Sequence, residues 1–233
     1  MHSLSSEATL TTQSKMSRTS SAKKALEQEL QVELGALAKN PKNGAVSIPL
    51  KRPIRVRLGG CKKDSGLRAP FGGPKSFDPS KVDRVSFSVC VDPAGAEAEF
   101  ANKVDAAVKQ ALSAKLSEYT QSMTSKQMEE KWKSWLKPAK EDYNPTISVK
   151  VQKTGRPCRI WKACCPDQPF EERKKLTWEE ADELDWKISK VAVIAEIRSI
   201  WMQPHQLGLT VDATEILIFP EDDACGFSES DSE

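Results

Sequence analysis

Residues 190–219 constrain the fold most, because two runs of alternating apolar and polar residues flank one short turn, the pattern of an antiparallel β-hairpin. In the first run Val191, Val193, Ala195, Ile197 and Trp201 fall on one face, with Ile194 and Ile200 on the other, so at least one face is buried. Gln203-Pro204-His205-Gln206 supplies the turn. The return run passes from Leu207-Gly208-Leu209-Thr210-Val211 to Ile216-Leu217-Ile218-Phe219, with Thr210, Asp212 and Thr214 as polar alternates. Pro220 has no N–H to donate and ends the ladder.

Shorter segments repeat the same period. Over 48–58, Ile54, Val56 and Leu58 face one way and Arg55 and Arg57 the other. Over 82–92, Val85, Phe87, Val89 and Val91 oppose Arg84, Ser86, Ser88 and Cys90. Over 146–151, Ile147, Val149 and Val151 point inward and Lys150 outward; over 158–163, Arg159 and Trp161 share a face. Gly155-Arg156-Pro157 is the turn that would pair these last two as a hairpin. Helical spacing of Phe100, Val104, Val108, Leu112 and Leu116 predicts a helix over 97–119. A second is predicted over 125–136, capped by Ser125 and ended before Pro138, with Met128, Trp132 and Trp135 on its inner side. The charged stretch 166–186 is an excursion between strands, with a helix start capped by Thr177.

The ends differ from this middle. Residues 1–21 are rich in Ser and Thr and bury too little to order themselves. Leu26, Leu30, Leu34 and Leu37 predict a short amphipathic helix over 22–39, stopped by Asn40-Pro41. Its apolar stripe has two outlets, the parent domain or a second copy of the chain in a homodimer. Three units result: an arm at 1–44, one domain at 45–220, and a tail at 221–233 that carries acids and no Lys or Arg. Short strands with a helical insertion are mainly β (α+β). They fit a five-stranded Greek-key barrel of the OB type with two helices inserted between strands. Strand count alone does not separate it from another small barrel.

A resemblance narrows the choice. Ile200-Trp201 ends one strand, a polar turn follows, Leu207-Gly208-Leu209-Thr210 opens the next, and an apolar finish runs into an acidic tail. Upstream stand Ile54-Arg55-Val56-Arg57-Leu58, Ala69-Pro70-Phe71-Gly72 and Val85-Ser86-Phe87-Ser88-Val89, in that order. Over residues 50–233 this ordered set resembles the single-stranded DNA-binding proteins of large DNA viruses and some phages. The resemblance implies an OB barrel that coats exposed strands in replication, recombination or repair. It also implies a tail that occupies the binding groove until a strand displaces it, or that recruits replication enzymes. Its setting would be intracellular and reducing, in the nucleus or at a site of viral DNA replication. In this chain the tail aromatic, Phe227, is internal rather than terminal, a departure from an end-on docking mode.

The residues supply matching chemistry. The net charge of +2 conceals segregation, since cations gather over 51–75 and acids over 221–233. Single strands are held by cations that track phosphates and by aromatic faces on which bases stack. Candidate cations are Arg55, Arg57, Lys62, Lys63, Arg68 and Lys75 from the first strand and its loop, and Lys150, Lys153, Arg156 and Arg159 from the later strands. Candidate stacking residues are Phe71, on a glycine-flanked loop, and Trp161, which shares a face with Arg159. Asp222, Asp223, Phe227, Glu229, Asp231 and Glu233 form the regulatory tail, where phosphorylation of Ser228 or Ser230 would add charge.

Other functions find less to build on. The basic loop lacks Gly-x-x-x-x-Gly-Lys-Ser/Thr. With His2 and His205 the only histidines and no Cys-x-x-Cys pair, neither a metal site, a cofactor nor a nucleophilic triad is expected. No signal peptide or membrane span is expected, and the cysteines are expected to stay free thiols. The competing reading is a non-catalytic adaptor working through the 22–39 helix and the acidic tail.

Overall fold

The computed structural model describes residues 21–41, 44–75, 83–120, 123–139, 144–163 and 172–220. In chain order the strands are β1 (Ala38–Lys39), β2 (Val46–Leu58), β3 (Leu67–Arg68), β4 (Arg84–Cys90), β5 (Trp132–Lys133), β6 (Leu136–Lys137), β7 (Thr146–Gln152), β8 (Arg159–Lys162), β9 (Lys174–Leu176), β10 (Lys190–Gln203) and β11 (Gln206–Phe219). The helices are α1 (Ala22–Leu26), α2 (Ala96–Ala114), α3 (Leu116–Tyr119), α4 (Ser125–Lys131) and α5 (Trp178–Asp182). The fold is mainly β.

The predicted hairpin forms the axis. β10 and β11 pair antiparallel from Lys190–Phe219 at one end to Gln203–Gln206 at the turn. The other edge of β10 takes β2 and, near its start, β3. The other edge of β11 takes three short strands end to end, all parallel to it: β5 at Leu207, β7 at Asp212 and β8 from Glu215. β4 then joins β7 antiparallel, so the sheet runs β1-β2-β10-β11-β7-β4 and is open. An isolated bridge, Lys75 to Ser86, ties the loop after β3 to the free edge of β4.

Two register shifts in β10 and β11 change which residues are buried. The shift between Ile197 and Ser199 reverses the parity of the strand, so Ile200 is fully buried and Trp201 is not, opposite to the alternation read from sequence. Trp201 then lies across the ladder from Gly208 and donates its indole N–H to Leu209 O at 3.1 Å. A Cβ on Gly208 would stand 3.0 Å from both the Trp201 ring and Lys133 O, which explains the glycine in the Leu-Gly-Leu-Thr run.

The inner face of the sheet packs on α2. Val191, Val193, Ala195 and Ile197 meet one core with Val85, Phe87, Val89, Ile147, Val149, Val151 and the α2 line Phe100, Val104, Val108, Leu112. Trp135 closes it, edge-on to Phe100 at 6.5 Å, its N–H bonded to Ser148 O at 3.0 Å. Asp105 of α2 is buried there and accepts bonds from Ser134 Oγ (2.5 Å) and the Trp135 amide (2.9 Å). Burial pushes its carboxyl up, and the bonds from Ser134 and Trp135 offset part of that.

The helices depart from expectation in three places. The 97–119 helix breaks at Lys115 into α2 and α3. The 125–136 helix is capped by Thr124, not Ser125, in a box with Gln127, and ends at Lys131. Beyond it Trp132 and Lys133 instead ladder with β11, and Trp135 reaches the core. The 22–39 helix is only α1, five residues long. After it the chain runs extended along the edge of β2, with Lys51 N–H bonded to Glu33 O (2.9 Å), Gly35 N–H to Pro49 O (2.8 Å), and β1 paired to Val46 and Ser47. Those backbone groups of β2 would otherwise be unpaired, and satisfying them outweighs a helix weakened by Gly35. The arm packs on its own domain, Ala22, Ala25 and Leu34 joining the core. The expected hairpin of β7 with β8 is also replaced, since each pairs parallel with β11. Residues 1–20 and the tail at 221–233, with its six regulatory residues, lie outside the described residues.

Candidate nucleic-acid interface

The outward face of β10 and β11 gathers the charged residues of otherwise separate segments, because cross-strand partners project to the same side. One row across the sheet reads Arg55, Glu196, Asp212, Lys150, Ser86. The next reads Arg57, Ile194, Glu215, Arg159. A third carries Ala192, Leu217, Trp161 and Lys175, and a fourth Arg68, Lys190 and Phe219. The face therefore grades from charged residues at its middle to an apolar cluster of Ala163, Ala192, Leu217 and Phe219 against which Trp161 packs.

Over the first two rows opens a groove of about 680 Å³ lined by Arg55, Arg84, Arg156, Arg159 and Arg198, with Thr210 and Asp212 among its polar floor residues. Four of the five arginines contact carboxylates of the central hairpin. Arg84 Nη2 lies 2.5 Å from Asp212, and Arg198 3.7 Å from the same carboxylate and 2.7 Å from Glu196. Arg159 lies 2.5 Å and Arg55 3.6 Å from Glu215, and Arg55 is 3.7 Å from Glu196. Glu215 also accepts the Trp161 indole N–H at 3.3 Å, which fixes that ring beside Arg159. Lys150 donates to Ser86 Oγ at 2.7 Å. Burial, with Arg84 and Lys137 close by, holds its ammonium below the ordinary lysine range despite Asp212. Arg57 Nε is buried with no hydrogen-bond partner among the described residues.

Of the residues named from sequence, Arg55, Arg156 and Arg159 line the groove, and Arg57, Lys150 and Trp161 lie on the same sheet face. Arg68 sits on that face at its far end, opposite Lys190. The others are elsewhere. Lys62 and Lys63 belong to the turn after β2, where Arg173 reaches Cys61 O at 3.3 Å. Phe71 is 61% exposed on a loop whose next residues, Gly72, Gly73 and Lys75, line a separate small pocket with Trp186 and Lys187. Lys153 turns away to Asp182 (3.3 Å) and the Trp178 ring (4.8 Å).

Sequence reading missed Arg84 and Arg198 as site residues. The signal for Arg84 was present, since alternation already put it opposite Val85 and Phe87. The same holds for Arg198, which alternation put on the face opposite Ile197. The acids Glu196, Asp212 and Glu215 were also missed, because their meaning appears only once β2, β7 and β8 are docked beside them. Among the described residues no group of three or more His, Cys, Asp or Glu is placed to hold a metal ion. No helix among them is long and apolar enough to cross a membrane.

No family model matches the sequence, and no curated protein matches it. Among solved structures the fold overlays the single-stranded DNA-binding protein from bacteriophage Enc34 in complex with ssDNA, at 12% identity and a TM-score of 0.45, covering 80% of this chain and 96% of that one. A C-terminal truncation of the same phage protein overlays at 14% identity and 0.43, with coverages of 82% and 96%. A third structure of it gives 12% and 0.45, with 85% and 96%. These overlays are too loose to carry a function across.

Proposed function

We propose that this chain is a non-catalytic single-stranded DNA-binding protein that coats exposed strands in replication, recombination or repair with little regard to sequence. The observation that carries the reading is the groove on the outward sheet face, where Arg55, Arg84, Arg156, Arg159 and Arg198 converge from four strands and a turn. Guanidinium groups are suited to phosphate oxygens because they offer several donors in a rigid fork and keep their charge. Trp161, half-buried with its N–H anchored on Glu215, presents a ring beside those cations, the combination of charge and stacking that holds unpaired nucleotides.

The strand order supports the fold expected from sequence. Five longer strands, β2, β10, β11, β7 and β4, lie side by side in that order, with the Lys75 bridge drawing the loop after β3 toward β4. We read them as a partly open Greek-key barrel of the OB type, whose binding surface is one face and the loops beside it. On that reading Phe71, Lys62, Lys63, Arg68 and Lys75 form an outlying part of the surface, reached by strands longer than the groove. The acidic tail would contact partner enzymes or compete for the groove.

Fluorescence anisotropy with a labelled oligothymidine, set against a duplex of equal length over a series of salt concentrations, tests the proposal. The single strand should bind more tightly, with a logarithmic salt slope of about −0.7 for each phosphate neutralised. Equal affinity for the two ligands, or a flat salt dependence, would remove it.

A further inference from the structure

Each carboxylate on the groove face is shared between two guanidinium groups. Asp212 lies between Arg84 and Arg198, Glu215 between Arg55 and Arg159, and Glu196 between Arg55 and Arg198. All three belong to the central hairpin, whereas Arg55, Arg84 and Arg159 come from the strands around it. Their side chains are only 13% to 22% exposed, so they lie beneath the cations as a floor and do not fringe the groove. On β11 the position did not require acids, since Thr210 and Thr214 line the same groove from the strand that carries Asp212 and Glu215.

We infer that Glu196, Asp212 and Glu215 are internal counterions, and that the face works by exchange, a polyanion binding only by displacing them from their arginines. This rests on the reading of the face as a single-strand site. A lone phosphate offers one anion in place of a carboxylate already held close, and gains little. A chain of linked phosphates displaces all three together, because once one is docked the next arrives at high effective concentration. The ligand selected is therefore an oligonucleotide and not a mononucleotide. Each carboxylate set free takes up a cation from solution, which cancels part of the counterion release from the nucleic acid and flattens the salt slope.

Asp212→Asn tests this, because asparagine keeps the shape of the side chain and removes its charge. The alternative role, acids that merely hold the arginines in place, predicts the opposite sign. Oligothymidine affinity is measured over a salt series for the full chain, for D212N, for E196Q as a second variant, and for E129Q on the exposed surface of α4 as a control for net charge. D212N and E196Q are expected to bind about 2- to 5-fold more tightly, the scale on which partly exposed ion pairs are broken. Their salt slopes should be steeper than wild type by up to about 0.7. E129Q should match wild type. Unchanged or weaker binding in both variants at an unaltered melting temperature would overturn the inference, as would equal tightening by E129Q. A wild-type chain that fails to bind oligothymidine would remove the reading of the face itself, a result distinct from wild-type binding that the variants leave unmoved.

Discussion

Removing two groove arginines together measures how much of strand binding is electrostatic. Arg84 and Arg156 are the suitable pair, because both line the groove and are exposed, and neither supports the core. Asp212 keeps Arg198 at 3.7 Å when Arg84 is lost, and no ion pair of Arg156 is recorded among the described residues. Folding stability should then change by no more than about 0.5 kcal/mol for each substitution. Binding should change far more. Each single-strand phosphate neutralised contributes about 0.7 to the logarithmic salt slope, which at 0.1 M salt is about a fivefold gain in affinity and at 0.3 M about twofold. R84A/R156A should therefore bind oligothymidine more weakly by up to about 25-fold at 0.1 M and up to about fivefold at 0.3 M, with a slope shallower by up to about 1.4, exchange at Asp212 taking back part of the Arg84 share. Anisotropy titrations at the two salt concentrations decide it, with K126A on exposed α4 as the control that changes charge away from the face. A loss that does not shrink with salt, or one matched by K126A, would refute the assignment of these side chains to phosphates.

Other expectations follow from single contacts. Trp161→Ala should weaken oligothymidine binding by about 1 to 3 kcal/mol while Trp161→Phe retains most of it, because a phenyl ring still stacks; equal losses would point to the Glu215 bond instead. Gly208→Ala should cost about 1 to 3 kcal/mol in urea unfolding, since its Cβ would stand 3.0 Å from Lys133 O and the Trp201 ring, and a wild-type midpoint would show that the strands yield freely. Asp105, whose carboxyl is raised by burial, stabilises the fold most when protonated; its contribution is present below the unfolded value near 3.8 and is lost as pH rises through the folded value. Urea midpoints of wild type should thus fall relative to Asp105→Asn between pH 4 and pH 7, and parallel curves would contradict that.

Legibility tracked the range of the interaction. The positions of β2, β4, β7 and β8, the hairpin with its turn and the α2 core line could be read because alternation and helical spacing are properties of neighbouring residues. The same alternation put Arg55, Arg57, Lys150 and Arg159 on outward faces, where the structure has them. Reading failed where distant segments compete for the same backbone. The arm at 33–39 has helical composition yet runs extended, because the edge of β2 offers its amide and carbonyl groups partners. The chain after Lys131 leaves its helix for the edge of β11 for the same reason.

By itself, then, the amino-acid order determined the longer strands β2, β4, β7, β10 and β11 and the short β8, the apolar side of each up to the register shift in β10, and the cations Arg55, Arg57, Lys150 and Arg159 on the other side. Only the tertiary structure decided that β7 and β8 dock parallel on β11, that a register shift sends Ile200 inward and turns Trp201 out, and that three hairpin carboxylates come to lie beneath the arginines of neighbouring strands. The reason is that alternation costs or gains free energy within a few residues, whereas register and strand neighbours are fixed by burial and hydrogen bonding between segments far apart in sequence.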